Sequence, residues 1–412
     1  MRKIDPYDLL APIYKLGAVS RVDLARLARV APSHVGGLIR EAIKKGLLVE
    51  SGFVPSTGGR RKVLLQVNCD VAQLMGIDIG RTNTAIVITD FAGKVVSHEW
   101  FPTVPSRGKE GLLEELHQHV KSRLKRFPKV AAIGIAHSGV VDSAAGKVLI
   151  WPMVDGWRDI LLRQIFEDEY GLSISVEDRV RAMAMAEQRS GHLTGLRNFV
   201  LVYVGTGIMS AIFFDGRLYG GRDGLAGELG HTTVADYGET CSCGNRGCLE
   251  RYSSAAGILE RARAELQRGV SSVLSEEAGS DLSGLTIDGI VAAAQAHDRL
   301  AERFLSDAGM YLGTALASVV NLLNPEKVIL TGRVPQTSGE LLLRPLLYNL
   351  RQRALPRAVE NLQVIVSQLG REAAAVGISH VAGEQVFKAR SRMLAGSPKP
   401  STLPFIRTAV LR

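Results

Sequence analysis

The chain has 412 residues, 46% hydrophobic and 22% charged, with a formal net charge of +9. That length and apolar content exceed one small domain and predict two or three domains with sizeable cores. No uncharged apolar run of eighteen residues occurs, which excludes a membrane-spanning helix and, with free-thiol usage, predicts a cytoplasmic protein.

Residues 1–68 hold twelve Lys/Arg against five Asp/Glu, a surplus that points to a polyanionic partner. Tyr7, Leu9, Leu10, Ile13, Tyr14 and Leu16 recur at helical spacing, and Gly17 closes that helix. Ser20 reads as the cap of a second helix, with Asp23 as the acid of its first turn and Val22, Leu24, Ala25 and Leu27 following. Past Val30-Ala31-Pro32, Ser33 is expected to cap a third helix to Lys45, with Val35, Leu38, Ile39 and Ile43 as its buried stripe. A strand starting near Gly46–Val49, a tip at residues 56–62 and the alternating strand Val63–Val67 form a basic hairpin. Helix, turn, helix and hairpin make a winged helix-turn-helix, a DNA-binding domain over residues 1–68 whose partner is a double-stranded operator. Ser33, His34 and Arg40 are the candidates for base or phosphate contact, with Gly36 and Gly37 permitting close approach. Arg60, Arg61 and Lys62 suit phosphates or the minor groove. The alternative for this segment is a helical protein-interaction module with a solvated basic face.

From Leu74 the character changes. A buried strand Leu74–Asp78, the loop Gly80-Arg81-Thr82-Asn83, a strand Ala85–Thr89 and a turn at Asp90–Gly93 follow in order. Further strands are expected at Phe199–Val204 and Val328–Leu330, and a helix from Thr286. Cys241, Cys243 and Cys248 lie close to His231; three thiols and an imidazole supply the donors of a closed tetrahedral structural zinc site. Gly244 and Gly247 let the backbone double back so that the cysteines reach one ion. Three cysteines cannot pair evenly, and the remote Cys69 is expected in a core. Residues 386–412 add six basic residues, no acid, and Pro398, Pro400 and Pro404, the composition of a basic, flexible tail.

The run Glu228-x-x-His231 followed by Cys-x-Cys-Gly-x-x-Gly-Cys-Leu-Glu at 241–250 resembles the zinc signature of the ROK family of repressors and sugar kinases. The resemblance spans about residues 6–385. It implies an α/β architecture: a winged helix-turn-helix, then a two-lobed actin-like ATPase (sugar-kinase-like) body. The lobes would cover residues 69–190 and 191–385, the second carrying the zinc loop.

Against the family's kinase motifs the chain departs repeatedly. Asp78, Gly80 and Thr82 match the first phosphate hairpin, but Arg81 replaces its second glycine. Gly205-Thr206-Gly207-Ile208 resembles the second phosphate loop and continues Met209-Ser210-Ala211 where the family has Gly-Ala-Gly. The nucleoside loop reads Thr331-Gly332-Arg333 instead of a glycine run, so ATP is not expected to bind. The family's Glu-Asn-Asp-Ala-Asn segment aligns on Glu177–Arg181, placing Arg179 where the general base belongs; a guanidinium accepts no proton. The resemblance therefore implies no catalytic residue and no enzyme. Glu228, His231 and Glu250 match sugar-hydroxyl positions, or else brace the zinc loop; Met153 replaces a sugar-binding asparagine, and His137-Ser138 alter a neighbouring loop. The reading is a DNA-binding transcriptional regulator, of the repressor kind, for carbohydrate-related genes. Its kinase-like body serves as sensor and dimerisation scaffold, giving a homodimer or dimer of dimers, with a sugar or sugar phosphate as effector. Alternatives are a regulator controlled by a protein partner and, less favoured, an ATP-dependent sugar kinase.

Overall fold

The computed structural model describes residues 5–53, 62–189, 196–277, 279 and 281–394. It divides into two compact units, Met1–Gly195 with Leu369–Arg412, and Leu196–Gln368.

The first unit begins with α1 (Pro6–Leu16), β1 (Val19–Ser20), α2 (Arg21–Leu27), α3 (Pro32–Lys44), β2 (Leu48–Phe53) and β3 (Val63–Val67), the strands ordered β1-β3-β2. Gly17 ends α1 at φ +83°, and the Ser20 hydroxyl caps α2 by accepting from the Asp23 N–H at 3.2 Å. The cap of α3 differs from the sequence reading. Ala31 holds that position without a side-chain hydrogen bond, because Pro32 supplies the pre-set φ of the first helical residue. Ser33 therefore lies inside the first turn.

Lobe 1 follows: β4 (Gln73–Ile79), β5 (Asn83–Asp90), β6 (Val95–Pro102), α4 (Gly108–Arg126), β7 (Val130–His137), the small strands β8 (Val140–Asp142), β9 (Lys147–Ile150) and β10 (Arg158–Ile160), α5 (Leu162–Tyr170), β11 (Ser173–Asp178) and α6 (Arg179–Arg189). Its sheet runs β11-β7-β4-β5-β6, with β4 antiparallel to β5 and parallel to β7. Strands such as β4 and β5 are buried on both faces, hence their near-continuous apolar runs.

The second unit repeats this plan. It contains β12 (Phe199–Val204), β13 (Ile208–Phe214), β14 (Arg217–Tyr219), α7 (Leu249–Ser253), α8 (Ala255–Gln267), α9 (Leu274–Glu277), α10 (Ile287–Gln295), α11 (Arg299–Leu323), β15 (Lys327–Thr331), α12 (Arg333–Ser338), α13 (Glu340–Arg353), α14 (Pro356–Val359) and β16 (Gln363–Val366). The strand order β14-β13-β12-β15-β16 is that of lobe 1: three antiparallel strands, then two parallel strands added on the far side of the first. Thr286 caps α10 through its hydroxyl.

The chain then returns to the first unit in α15 (Ala373–Met393). This differs from the sequence division, which gave residues up to 385 to the second lobe and left residues 386–412 as a tail. Phe387 and Ser391 are fully buried, so α15 continues past residue 386 as a core helix. Glycines admit it to the sheet: a Cβ on Gly134 would lie 2.2 Å from the Ile378 carbonyl oxygen. The winged domain shares this core. Leu10, Ile13, Tyr14, Ile39 and Leu65 cluster with Leu74, Phe91, Ala382 and Phe387, each large side chain contributing about 1.5–3 kcal/mol by leaving water. Tyr14 stacks on Phe387 at 5.0 Å, donates its hydroxyl to the His380 carbonyl at 3.0 Å, and carries the Arg189 guanidinium over its ring. Cys69 is exposed on a 3-10 turn, not in the core expected for it.

Candidate nucleic-acid interface, metal centre and ligand site

Helix α3 is held by Val35, Ile39 and Ala42, all buried, and this turns Gly37 and Arg40 outward. A Cβ at Gly37 would meet nothing within 4 Å, so the outward face is low and open, as close approach to a groove requires. Ser33 and His34 lie in the helix's first turn, but their side chains, like all of Arg60 and Arg61, fall outside the described residues. Lys62, just before β3, is exposed. One feature escaped the sequence reading: Arg29, between α2 and α3, adopts φ +54°, a left-handed turn residue at a place where no glycine signals the turn.

His231, Cys241, Cys243 and Cys248 come together, their ligand atoms all within 4.8 Å of one another. Cys241 Sγ is 3.7 Å from His231 Nδ1, and Cys243 Sγ is 3.7 Å from Cys248 Sγ. A tetrahedral ion with metal–sulfur bonds of about 2.3 Å sets sulfur–sulfur edges of roughly 3.8 Å, so the donors fit such an ion. Turns built from the local sequence hold them there: the Cys241 N–H donates to Asn245 O at 2.8 Å, and Val234 N–H to Gly247 O at 2.8 Å. Gly247, at φ +68°, lies so close to Ala235 that a Cβ would sit 1.7 Å from its carbonyl oxygen. Burial and the neighbouring thiols push Cys248 up to about 12, so a bound cation is what would hold this sulfur as a thiolate.

The sugar-type residues divide in two. Glu228, exposed, and His231 share one turn, the His231 N–H donating to Glu228 O. Glu250, on α7, accepts the Ile208 N–H at 2.8 Å through Oε2, bracing the glycine loop before β13. Within that loop the Gly205 N–H donates to Gly207 O, so two of its amides already have acceptors. In lobe 1, Met153 packs on the core and His137 is fully buried, its Nδ1 accepting the Gly139 N–H at 2.8 Å. Burial pushes His137 down to about 3, leaving a neutral ring among Trp151 and Trp157.

Arg179 opens α6, and its Nε donates to Asp78 Oδ1 at 2.8 Å. The Asp78 side chain is 2% exposed and that of Arg179 21%. Asp178, one residue earlier, accepts the N–H groups of Val180 and Arg181 at 2.7 and 3.0 Å; it caps the helix. Arg333 forms a bidentate pair with Asp288 across the loop after β15.

A winged helix-turn-helix joined to a duplicated five-stranded α/β body defines a chain of the regulator type on a sugar-kinase-like scaffold. The profile described as the ROK family matches residues 74–385, and the chain belongs to that family. It is 31% identical over 382 residues to the xylose repressor of Caldicellulosiruptor bescii, covering 92% of this chain and 94% of that one. It is also 31% identical over 375 residues to the DNA-binding transcriptional dual regulator NagC of Escherichia coli, covering 88% and 89%. A crystal structure of a ROK family transcriptional regulator, a homologue of the E. coli MLC protein, superposes with a TM-score of 0.80 at 28% identity over 95% of this chain and 97% of that one. A ROK family glucokinase from Streptomyces griseus, in complex with glucose and AMPPNP, matches 75% of this chain and 99% of its own, with a TM-score of 0.65 at 30% identity. The regulators match both the winged domain and the body. No helix among the described residues is long and apolar enough to cross a membrane.

Proposed function

We propose that the protein is a DNA-binding transcriptional repressor of carbohydrate-related genes, acting on chromosomal DNA in the cytoplasm. The observation that carries this reading is the open face of α3, with Arg40 outward, on a winged domain that shares its core with a ROK body. Ser33, His34 and Arg40 read base edges or adjacent phosphates, and Arg60, Arg61 and Lys62 grip the backbone or minor groove. Two-fold pairing of such domains gives operator affinity and symmetry, so the working form is a homodimer or dimer of dimers.

The body is a sensor and not a kinase. Support comes from Arg179, which stands at the aligned position of the general base and is spent on Asp78, while Asp178 is spent on capping α6. Arg81, Met209 and Arg333 replace glycines in the three nucleotide loops, and Glu250 already engages one loop amide. Zinc, held by His231, Cys241, Cys243 and Cys248, braces the segment that presents Glu228. A sugar or sugar phosphate bound around Glu228, His231 and Glu250 is the effector.

Fluorescence anisotropy with DNA from upstream of the protein's own gene tests the reading. Nanomolar, salt-sensitive binding is expected, together with no sugar-dependent ADP release. Equal affinity for that DNA and for unrelated sequence would count against it.

A further inference from the structure

A cavity of about 440 Å³ opens where the winged domain meets lobe 1. The end of α1, the turn between β5 and β6, α6 and the start of α15 form its walls, so it lies wholly within the first unit. Its charged and titratable lining is Lys15, Lys94, Arg189, Glu372 and His380. Three cations therefore face one carboxylate, with Lys15 also bound to Glu384 at 2.9 Å.

Arg189 is the unusual member. Its guanidinium lies over Tyr14 and donates to the Tyr14 carbonyl. Burial lowers its pKa against the weaker, opposing charge of Glu384, and no ion pair to a carboxylate forms among the described residues. The one carboxylate whose charge reaches it, Glu384, is already paired with Lys15; a desolvated cation so thinly compensated is costly, and an anion in the adjoining space would offset that cost. Lys94, exposed on its turn, likewise has no ion-pair partner among the described residues. His380 is 7% exposed, and its Nδ1 is buried without a hydrogen-bond partner among the described residues. Burial, then the charge of Arg189, keep this ring neutral, so it can donate one hydrogen bond and accept another.

We propose that this cavity is a second ligand site, taking a phosphomonoester dianion whose phosphate is set against Lys94, Lys15 and Arg189. Its volume falls in the range of small-molecule sites, roughly 300–1,000 Å³. A ligand here touches the last turn of α1 and the start of α15, the two helices that carry the winged domain on lobe 1. It would therefore bias how that domain is held, and its affinity and that for DNA would change each other by the same factor. Only this coupling rests on the proposed function; the ligand site does not.

Calorimetry and melting curves on the full-length protein test the site with glucose 6-phosphate, inorganic phosphate and glucose, at an ionic strength held constant with chloride. Saturable binding of glucose 6-phosphate with a raised Tm is expected, and no such shift from glucose in a Glu228→Gln background. Lys94→Glu should weaken phosphate-ester binding at least about tenfold, because a like charge then faces the dianion; Lys94→Arg should retain it. Inorganic phosphate binding as tightly as the ester would assign the site to free phosphate, whereas tighter ester binding assigns it to a phosphorylated sugar. In wild type, but not in Lys94→Glu, saturating ester should alter the Kd for operator DNA. The proposal is overturned if neither phosphate compound binds saturably, if binding survives Lys94→Glu, or if Glu228→Gln abolishes it.

Discussion

Asp78 and Arg179 are 101 residues apart in the chain and close on each other in a 2.8 Å charge-assisted hydrogen bond at the end of strand β4. The buried Asp78 carboxylate is satisfied by the chain itself. A Cβ on Gly80 would sit 3.7 Å from Arg179 Nε, and the Gly80 N–H donates across the turn to Asn83 O. The turn between β4 and β5 is thus closed by its own hydrogen bond, with the Arg179 guanidinium packed beside it.

The pair makes a double-mutant prediction. Arg179→Met leaves Asp78 buried beside an apolar group and should destabilise the protein by about 3 kcal/mol. Adding Asp78→Asn should recover much of that loss, since the uncompensated charge is removed. Denaturant melts of the four proteins measure it. Additive losses would mean that the two side chains are not energetically coupled.

Restoring a carboxylate should not restore catalysis. Arg179→Asp places two carboxylates together, while Arg81, Met209 and Arg333 still occupy the nucleotide loops. ADP release with hexoses, N-acetylhexosamines or xylose should stay at background in wild type and variant alike. Sugar-dependent turnover by the wild type would remove the sensor-only reading of the body.

Asp178 predicts a pH effect. Burial, the dominant influence, pushes its carboxyl up to about 7 despite two helix N–H donors. The unfolded value is about 3.9, so between these limits the native state keeps a proton that the unfolded state has released. Stability from this group therefore falls as pH rises from about 4 to about 7. Asp178→Asn keeps an acceptor for the Val180 and Arg181 amides and cannot ionise. Its Tm should fall less than that of wild type across this window. Parallel Tm–pH curves would assign no role to Asp178.

The metal cluster should hold about one zinc per chain, because its donors fit a tetrahedral ion. Cys241→Ser should lower both metal content and Tm, since a structural ion contributes its binding free energy to folding. Elemental analysis of chelator-free protein finding less than about a tenth of an equivalent would remove zinc from the account.

These features differ in how far one sequence reveals them. The metal donors were legible because they fall within a short segment whose glycines advertise its turns. Ser20 and the alternation of Val63–Val67 were equally local. The cap of α3 differs because Pro32 competes with Ser33, and the fixed φ of proline sets the cap two residues earlier, at Ala31. Residues 386–393 read as tail because their basic side chains dominate the composition. Of His380, Phe387 and Ser391, buried on one helical face, only Phe387 gives an apolar signal; the other two are polar and do not mark a core helix in the sequence. Arg179 with Asp78, and the cavity joining Lys15, Lys94 and Arg189, arise from pairings that only the folded chain makes.

The shared core also changes how DNA binding must be tested. Removing residues 1–68 would expose Leu74, Phe91 and Phe387 and leave the His380 carbonyl without Tyr14, so a truncated body should be destabilised and prone to associate. Point variants on the full chain are the sound test. Arg60→Ala with Arg61→Ala should weaken binding to all sequences and flatten the salt slope by about one to two units, the mark of lost phosphate contacts. Arg40→Ala, on the open face of α3, should instead narrow the gap between operator and random DNA by about 1–3 kcal/mol for a base contact. Neither change touches the buried stripe of Val35 and Ile39, so the Tm should stay near that of wild type. Titrations over a range of salt separate the two behaviours. Unchanged operator preference in Arg40→Ala, together with the same variants of Ser33 and His34, would show that α3 is not the reading helix.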